Sequence, residues 1–191
     1  MDSEPLSNAL SAARAGQADG FAALLDAYGR RLYGYFYRAV GNHHDAEDLL
    51  GEMSLRLVRN INSYNEQGRL EHWIFRIAAN LVRDRFRRKK VRPKLHSLSG
   101  GDDEQASPAA MLPARGPDVD NGLMLDETSA QLQRALEKLD ETTREMILLR
   151  HFGEMPFKEI AELFDCPIGT ALAKVHRGIK ALRGQMETCD D

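Results

Sequence analysis

A dense group of basic side chains begins near position 83 and is the first candidate for chemistry in this sequence. Between positions 83 and 94 a single acid, Asp84, stands among eight cations. Clustered lysine and arginine attract phosphate groups, so the segment is typical of a nucleic-acid surface even in a chain with a net charge of −3. A solvated helix end followed by a basic tail remains the alternative. The cations are Arg83, Arg85, Arg87, Arg88, Lys89, Lys90, Arg92 and Lys94.

Imidazoles and carboxylates lie next to each other in a second cluster, which consists of His43, His44, Asp45, Glu47 and Asp48. Neighbouring residues of a helix point in different directions, and acids at a helix N-terminus are explained by the helix dipole. The sequence therefore predicts Asp45 as a helix N-cap and no metal site. No phosphate-binding glycine loop, nucleophile elbow or HExxH pattern occurs, so we expect no cofactor and no catalytic residues.

Near the C-terminus the sequence has the pattern of a helix-turn-helix. Residues 157–164 form a short amphipathic segment, residues 165–167 a tight break, and residues 168–186 a longer helix. In this motif the second helix enters the major groove of DNA, whereas a generic helical hairpin would carry a basic face without that role. The expected inward stripe is Ile168, Ala171, Val175, Ile179 and Leu182. The expected DNA-facing residues are Thr170, Lys174, His176, Arg177 and Lys180.

Helical periodicity also covers the first half of the chain. Its apolar residues fall into three helices, with stripes that include Tyr28, Met53 and Ile74. The third helix starts near Leu70 and leaves a cationic stripe outward, composed of Arg76, Asn80, Arg83 and Arg87. Aromatic and polar side chains next to this stripe favour a single-stranded DNA ligand, although Trp73 and Phe86 would also suit a core. These neighbours are Tyr64, Asn65, Trp73 and Phe86.

Periodicity disappears between residues 91 and 124, where four prolines and several glycines occur. This segment is typical of a flexible linker, with a span of roughly 30 to 35 Å for a coil of its length. No strand-like alternation is present. The sequence predicts an all-α protein of two small helical domains, at residues 1–90 and 125–191, joined by the linker.

Composition restricts the cellular setting. The chain is 42% hydrophobic and 29% charged, as in globular proteins, and no apolar run approaches the roughly 20 residues of a membrane span. The N-terminal residues have no secretory pattern, and the two cysteines form no metal or disulfide framework. We expect a cytoplasmic protein that is not inserted in a membrane.

Three segments together resemble the extracytoplasmic-function (ECF) sigma factors of bacterial RNA polymerase. They are DAEDLLGEMSLRLVR at 45–59, LEHWIFRIAANLVRDRFRRKK at 70–90, and the segment at 139–183 that contains the helix-turn-helix. The resemblance implies a sigma2 domain followed by a sigma4 domain in a non-catalytic initiation subunit. It also implies that the first segment docks on the clamp helices of the polymerase large subunit, through Asp48, Leu49, Glu52, Met53, Arg56 and Leu57.

The same resemblance implies two DNA contacts and a regulator. The minus-ten strand would be held by Tyr64, Asn65, Arg76, Asn80, Arg83, Arg87 and Arg88. The sigma4 helix would read the minus-thirty-five element as duplex, and an anti-sigma factor is an implied partner. Leu172 and Ala173 depart from the family pattern, which has lysine and serine there, so no promoter sequence can be transferred. A stand-alone dimeric helix-turn-helix regulator is the competing hypothesis.

Overall fold

The computed structural model describes residues 3–65, 69–96 and 125–187, which form helices joined by short turns, with no strand among them. The predicted all-α class is confirmed. The first half contains α1 (Ser3–Arg14), α2 (Ala18–Val40), α3 (His43–Asn60), a 3-10 turn (Ile61–Ser63) and α4 (Leu70–His96). The second half contains α5 (Leu125–Glu137), α6 (Glu141–Phe152), α7 (Phe157–Leu163) and α8 (Ile168–Glu187).

The reversal between α2 and α3 depends on two residues. Gly41 has a φ of 83°, a left-handed conformation that favours glycine, and its N–H donates to the Tyr37 carbonyl at 2.8 Å. Asn42 then caps α3, because its side chain accepts a hydrogen bond from the Asp45 N–H at 2.8 Å. The predicted cap at Asp45 is wrong by three residues, since Asn42 already has the extended backbone that an N-cap requires.

Helices α2, α3 and α4 enclose the core of the first half. Tyr35 packs edge-on against Phe36 and Phe75, with ring centroids 5.6 and 5.8 Å apart, and Met53 is fully buried among the aliphatic side chains. Helix α1, which the sequence patterns do not predict, crosses α2 at Gly20. A Cβ atom at that position would lie 2.3 Å from the Ala13 nitrogen, so only glycine permits this crossing.

The second half contains the predicted helix-turn-helix in α7 and α8. The turn between them includes Asp165 at a φ of 48°, and Cys166 donates its N–H back to the Ala161 carbonyl at 3.0 Å. Helix α8 buries Ala171, Val175 and Leu182 as the stripe predicts. The predicted burial of two other members is wrong: Ile168 is 51% and Ile179 39% exposed. Ile168 is the first residue of the helix, and Ile179 lies at the margin of the buried stripe. Gly178, rather than Ile179, is the buried residue between Val175 and Leu182.

The two halves pack against each other, mainly through α2 and α6. The Phe152 ring lies directly over Gly34, where a Cβ atom would be 2.8 Å from the nearest ring carbon. Phe75 likewise lies against Gly153. Of the predicted linker, α4 takes up the first six residues by continuing to His96, and residues 97–124 lie outside the described part of the chain.

Candidate nucleic-acid interface

The predicted cationic stripe of α4 lies on the surface of the helix, but its members differ in exposure. Arg76, Asn80 and Arg87 are exposed, as is Arg88 beside the stripe, and the Arg87 guanidinium makes a 2.9 Å ion pair with Asp84 one turn earlier. Arg83 is half-buried. The stripe is therefore brought together on one side of α4 as the spacing predicts, with Arg83 at its inner edge.

Arg83 contacts the second half of the chain. Its Nε lies 3.2 Å from Oε1 of Glu145, an Nη donates to the Leu163 carbonyl at 3.2 Å, and the guanidinium stacks 4.8 Å from the Phe164 ring centroid. Burial raises the pKa of the Glu145 carboxyl to about 7, although the Arg83 charge and hydrogen bond lower it in part. Sequence patterns give no signal for this buried acid, because a glutamate at 145 reads as an exposed helix residue.

Two of the clustered cations are engaged within the first half. Arg85 pairs with Asp45, and the Lys89 Nζ lies 2.7 Å from the other oxygen of the same carboxylate. Burial alone would raise the pKa of Asp45, but hydrogen bonds from Lys89, Asn42 and Arg85 hold it well below its usual value. These two cations fasten α4 to α3, so the basic run at 83–94 is partly structural.

The loop before α4 places its two predicted DNA residues differently. Asn65 is exposed, whereas Tyr64 is 7% exposed and packs its ring 5.3 Å from that of Trp73. The Arg14 guanidinium also lies over the Tyr64 ring, 5.8 Å from its centroid. Tyr64 thus fixes the loop on α1 and α4, and its ring face is not presented for stacking on a base in this arrangement.

Helix α8 presents a second polar face opposite its buried stripe. Thr170, His176, Arg177 and Lys180 are all exposed there. Lys174 is turned toward α6, where its Nζ lies 3.6 Å from the Asp140 carboxylate. Four of the five predicted duplex-contacting side chains therefore point outward together.

A line of apolar side chains runs along α8 beside this polar face. Leu172 is 43% exposed and lies on the same side of the helix as Ile168 and Ile179. Leu172 is one of the two departures from the resembling family, and it enlarges this apolar surface at the margin of the DNA-facing side.

The predicted polymerase-binding residues of α3 divide into an inner and an outer group. Leu49, Met53 and Leu57 are buried in the core of the first half, so their side chains support the helix and offer no surface to a partner. The outer group is polar, and its members are Asp48, Glu52 and Arg56.

Two exposed apolar residues of α3 are not among the polymerase-binding residues predicted from the sequence. Leu55 is 56% and Val58 52% exposed, and both lie on the side of the helix opposite the core. Both residues lie about half a turn around the helix from Met53, away from the buried stripe. Apolar residues at such positions of an amphipathic helix indicate a contact surface, so their spacing could have identified them.

The acidic start of α3 gathers His44, Asp45 and Asp48, whose ligand atoms lie within 4.8 Å of one another. The Asp45 carboxylate is already held by two cations, and His44 makes a 3.3 Å contact with Asp48. His43 points elsewhere and packs on Tyr37, with ring centroids 4.5 Å apart. These contacts account for the cluster as a capped and paired helix N-terminus.

Comparison with known proteins identifies both halves. Residues 24–92 match the family model of Sigma-70 region 2, and residues 129–182 match that of Sigma-70 region 4. The chain is 34% identical to the ECF RNA polymerase sigma factor SigW of Bacillus subtilis, over 90% of this chain and 91% of that protein. The chain belongs to the ECF RNA polymerase sigma factors. ECF sigma factor SigE of Mycolicibacterium smegmatis is 32% identical over 80% of this chain and 56% of its own length.

Solved structures agree with the sigma-factor fold. The sigma factor RpoE of Bartonella quintana, solved in complex with the anti-sigma factor NepR, superposes with a TM-score of 0.66 at 20% identity, covering 87% of this chain and 96% of RpoE. CnrH, solved with the cytosolic domain of CnrY, gives a TM-score of 0.62 at 20% identity, with coverages of 94% and 96%.

This sigma factor is a non-enzymatic initiation subunit that binds core RNA polymerase and promoter DNA. The hypothesis of a stand-alone regulator leaves the region 2 match unexplained. Over the described ranges 3–65, 69–96 and 125–187, no helix combines the length and apolar character of a membrane span.

Proposed function

We propose that the sigma factor holds the unpaired minus-ten strand on α4 and reads the minus-thirty-five duplex with α8. The observation that carries the proposal is the exposed set Arg76, Asn80 and Arg87 on one side of α4, with Arg88 exposed beside it. Cations along such a face follow a phosphate backbone, and an amide has donors and acceptors for the edge of an unstacked base. Binding energy alone then drives strand separation.

In this proposal the loop and the inner edge of the stripe have distinct roles. Asn65 lies exposed in the loop that follows the 3-10 turn and contacts the strand, while Tyr64 fixes this loop against Trp73. Arg83 joins the strand-binding set when its contacts with the second half are released. This assignment keeps all seven predicted sigma2 residues in the site but makes Tyr64 a supporting residue.

For the duplex we assign Arg177 and Lys180 to phosphates and Thr170 and His176 to base edges or adjacent phosphates. All four are exposed on the polar face of α8, and an α-helix fits the major groove. Lys174 reaches DNA only by leaving Asp140, since the two groups lie 3.6 Å apart.

We infer that core polymerase binds the outer face of α3. Leu55 and Val58 supply the apolar centre there, and Asp48, Glu52 and Arg56 supply the polar rim. The family resemblance assigns this helix to the clamp helices of the large subunit. Leu49, Met53 and Leu57 stabilise the helix from inside.

We further propose that an anti-sigma factor controls this protein in the cytoplasm, where RNA polymerase acts. RpoE was solved with the anti-sigma factor NepR, and CnrH with the cytosolic domain of CnrY. On this chain the exposed apolar line of Ile168, Leu172 and Ile179 suits such a partner, because it borders the DNA-facing side of α8. A protein packed on that line would also obstruct the groove contacts.

A footprint of promoter DNA tests the proposal. We expect protection of the minus-thirty-five and minus-ten elements only when core polymerase is present. In complex with polymerase, the Arg177→Ala, Lys180→Ala variant should bind promoter DNA about tenfold more weakly. The slope of its log affinity against log salt concentration should fall by about the amount expected for two phosphate contacts. The matched control is Arg134→Ala, Lys138→Ala, which removes the same charge from exposed positions outside the helix-turn-helix. Protection of a palindromic site by the chain alone would contradict the proposal.

A further inference from the structure

An arginine of α1 holds the segment at 61–65, which consists of the 3-10 turn and the two residues after it. The half-buried Arg14 donates a hydrogen bond from its guanidinium to the Tyr64 carbonyl at 2.6 Å. Helix α1 comes before residues 24–92, which match region 2. The 61–65 segment is therefore held from a part of the chain to which the family match gives no role.

The hydrogen bond from Arg14 acts on the backbone immediately before Asn65. The Tyr64 carbonyl belongs to the peptide group that joins Tyr64 to Asn65, and a peptide group is planar from one Cα atom to the next. Holding the carbonyl oxygen therefore restrains the Asn65 Cα atom. On its other side, the Tyr64 N–H donates to the Ile61 carbonyl at 3.3 Å. Both polar backbone groups of Tyr64 are thus engaged.

The Tyr64 side chain provides a second attachment for the same segment. Its buried ring lies between two groups from different helices, the Trp73 ring of α4 and the Arg14 guanidinium of α1. Aromatic pairs and cation–π contacts are both stabilising, and more so when water is excluded. The ring therefore couples α1 to α4, and the 61–65 segment keeps one position relative to the strand-binding helix.

The backbone that carries Arg14 is itself fixed. Arg14 is the last residue of α1, and just after it the Gln17 N–H donates back to the Ala12 carbonyl at 3.0 Å, which closes the end of the helix. Close by, α1 crosses α2 at Gly20, where there is no room for a Cβ atom. The Arg14 side chain therefore extends to the 61–65 segment from a rigid support.

We propose that Arg14 is a positioning residue for strand recognition, which holds the 61–65 segment so that the Asn65 amide meets one base of the unpaired minus-ten strand. The inference rests on the proposed contact between Asn65 and that strand. A fixed amide discriminates between bases, because a wrong base leaves a donor or an acceptor of the amide unpaired. An amide on a loose segment adapts to several bases. Arg14 thus controls base preference through Tyr64.

The test measures base preference with the full sigma factor bound to core polymerase. The probe is a fork-junction DNA from a promoter that the wild-type complex transcribes, with its unpaired minus-ten strand randomised. Sequencing of the bound DNA gives the preference at each position. Asn65→Ala should lose the preference at the position that Asn65 contacts. Arg14→Ala should lower the preference at that same position by about fivefold or more, as expected for a lost hydrogen bond from a charged donor, and leave the other positions unchanged.

Three further variants serve as controls. Arg30→Ala removes the same charge from an exposed position on α2 and should match wild type at every position. Arg14→Lys should keep more of the preference than Arg14→Ala, because an ammonium can still donate to the Tyr64 carbonyl but lacks the planar group that lies on the ring. Adding Arg14→Ala to Asn65→Ala should cause no further loss at the shared position, because both residues act on one contact.

Circular dichroism shows whether each variant folds, and Arg14→Lys carries the comparison if the alanine variant unfolds. The positioning role is overturned if the Arg14 variants keep the wild-type preference at the Asn65 position. It is also overturned if they weaken DNA binding without changing any base preference, as a purely structural change would. If Asn65→Ala changes the preference at no position, the proposed strand contact of Asn65 fails, and the positioning role of Arg14 fails with it.

Discussion

The Leu55→Asp, Val58→Asp variant should lose at least about 100-fold in affinity for core polymerase while folding normally. Burial of two such aliphatic side chains contributes about 3 kcal/mol or more, and 1.4 kcal/mol corresponds to a factor of ten. Both are more than half exposed on the isolated chain, so aspartate at these positions leaves the core intact. Titration of a fluorescent sigma factor with core polymerase measures the loss.

Leu172→Asp with Ile179→Asp is the control for this prediction, because it introduces the same two charges at exposed apolar residues of α8. It should bind core polymerase as wild type does. Wild-type affinity of the α3 variant would show that polymerase docks elsewhere and would remove Leu55 and Val58 from the proposed surface.

The second large effect concerns pH and Glu145. Burial raises the pKa of this carboxyl to about 7 in the folded chain, against 4.5 for an exposed glutamate, with Arg83 opposing the shift and Glu141 adding to it. The folded state therefore holds the proton more tightly than the unfolded state. The resulting stability is fully present below about pH 4.5 and is lost as the pH rises through about 7, by an amount on the order of 3 kcal/mol.

Glu145→Gln should remove that pH dependence, because the amide resembles the neutral acid. We expect the variant to unfold at higher urea concentration than wild type at pH 8 and at a similar concentration at pH 5. Glu127→Gln, which changes an exposed acid, should follow wild type at both. Equal losses of stability in wild type and Glu145→Gln between pH 5 and 8 would show that Glu145 titrates normally.

Periodicity sufficed for much of the fold. The buried positions Tyr28, Met53, Ile74 and Val175 all belong to predicted stripes, and the helix-turn-helix break falls where Pro167 and its neighbours indicate. These residues lie on helices with one buried side, where the spacing of apolar residues reports directly on packing. The family resemblance, based on three segments, was confirmed by the region 2 and region 4 matches.

Helices covered on two sides were harder to predict. Phe75 is fully buried on α4 because α6 covers a side of the helix that a one-sided stripe assigns to solvent. Glu145 is buried on α6 for the same reason. Helix α1 was missed because its short alanine-rich stripe becomes a packing surface only where Gly20 lets α2 approach. These features depend on contacts between distant segments, which local spacing does not encode.

The positions of the candidate site residues could be predicted from the sequence, but their contacts could not. Sequence spacing places Arg76, Asn80 and Arg87 on one side of α4, and the structure agrees. It gives no sign that Arg83 is held by Glu145. The family resemblance also does not distinguish the buried Leu49 of α3 from surface residues of the same helix, because the docking segment that it implies contains both buried and exposed residues.

Run-off transcription with purified bacterial core polymerase on a pooled promoter library tests the central claim most directly. The wild-type sigma factor should yield discrete transcripts that core polymerase alone does not make. The Asn80→Ala, Arg87→Ala variant should still bind polymerase but yield at least about tenfold less transcript, because a loss of about 1.4 kcal/mol in strand binding already corresponds to a factor of ten. Undiminished transcripts from the variant, or none from wild type despite polymerase binding, would contradict the assignment of promoter opening to this face of α4.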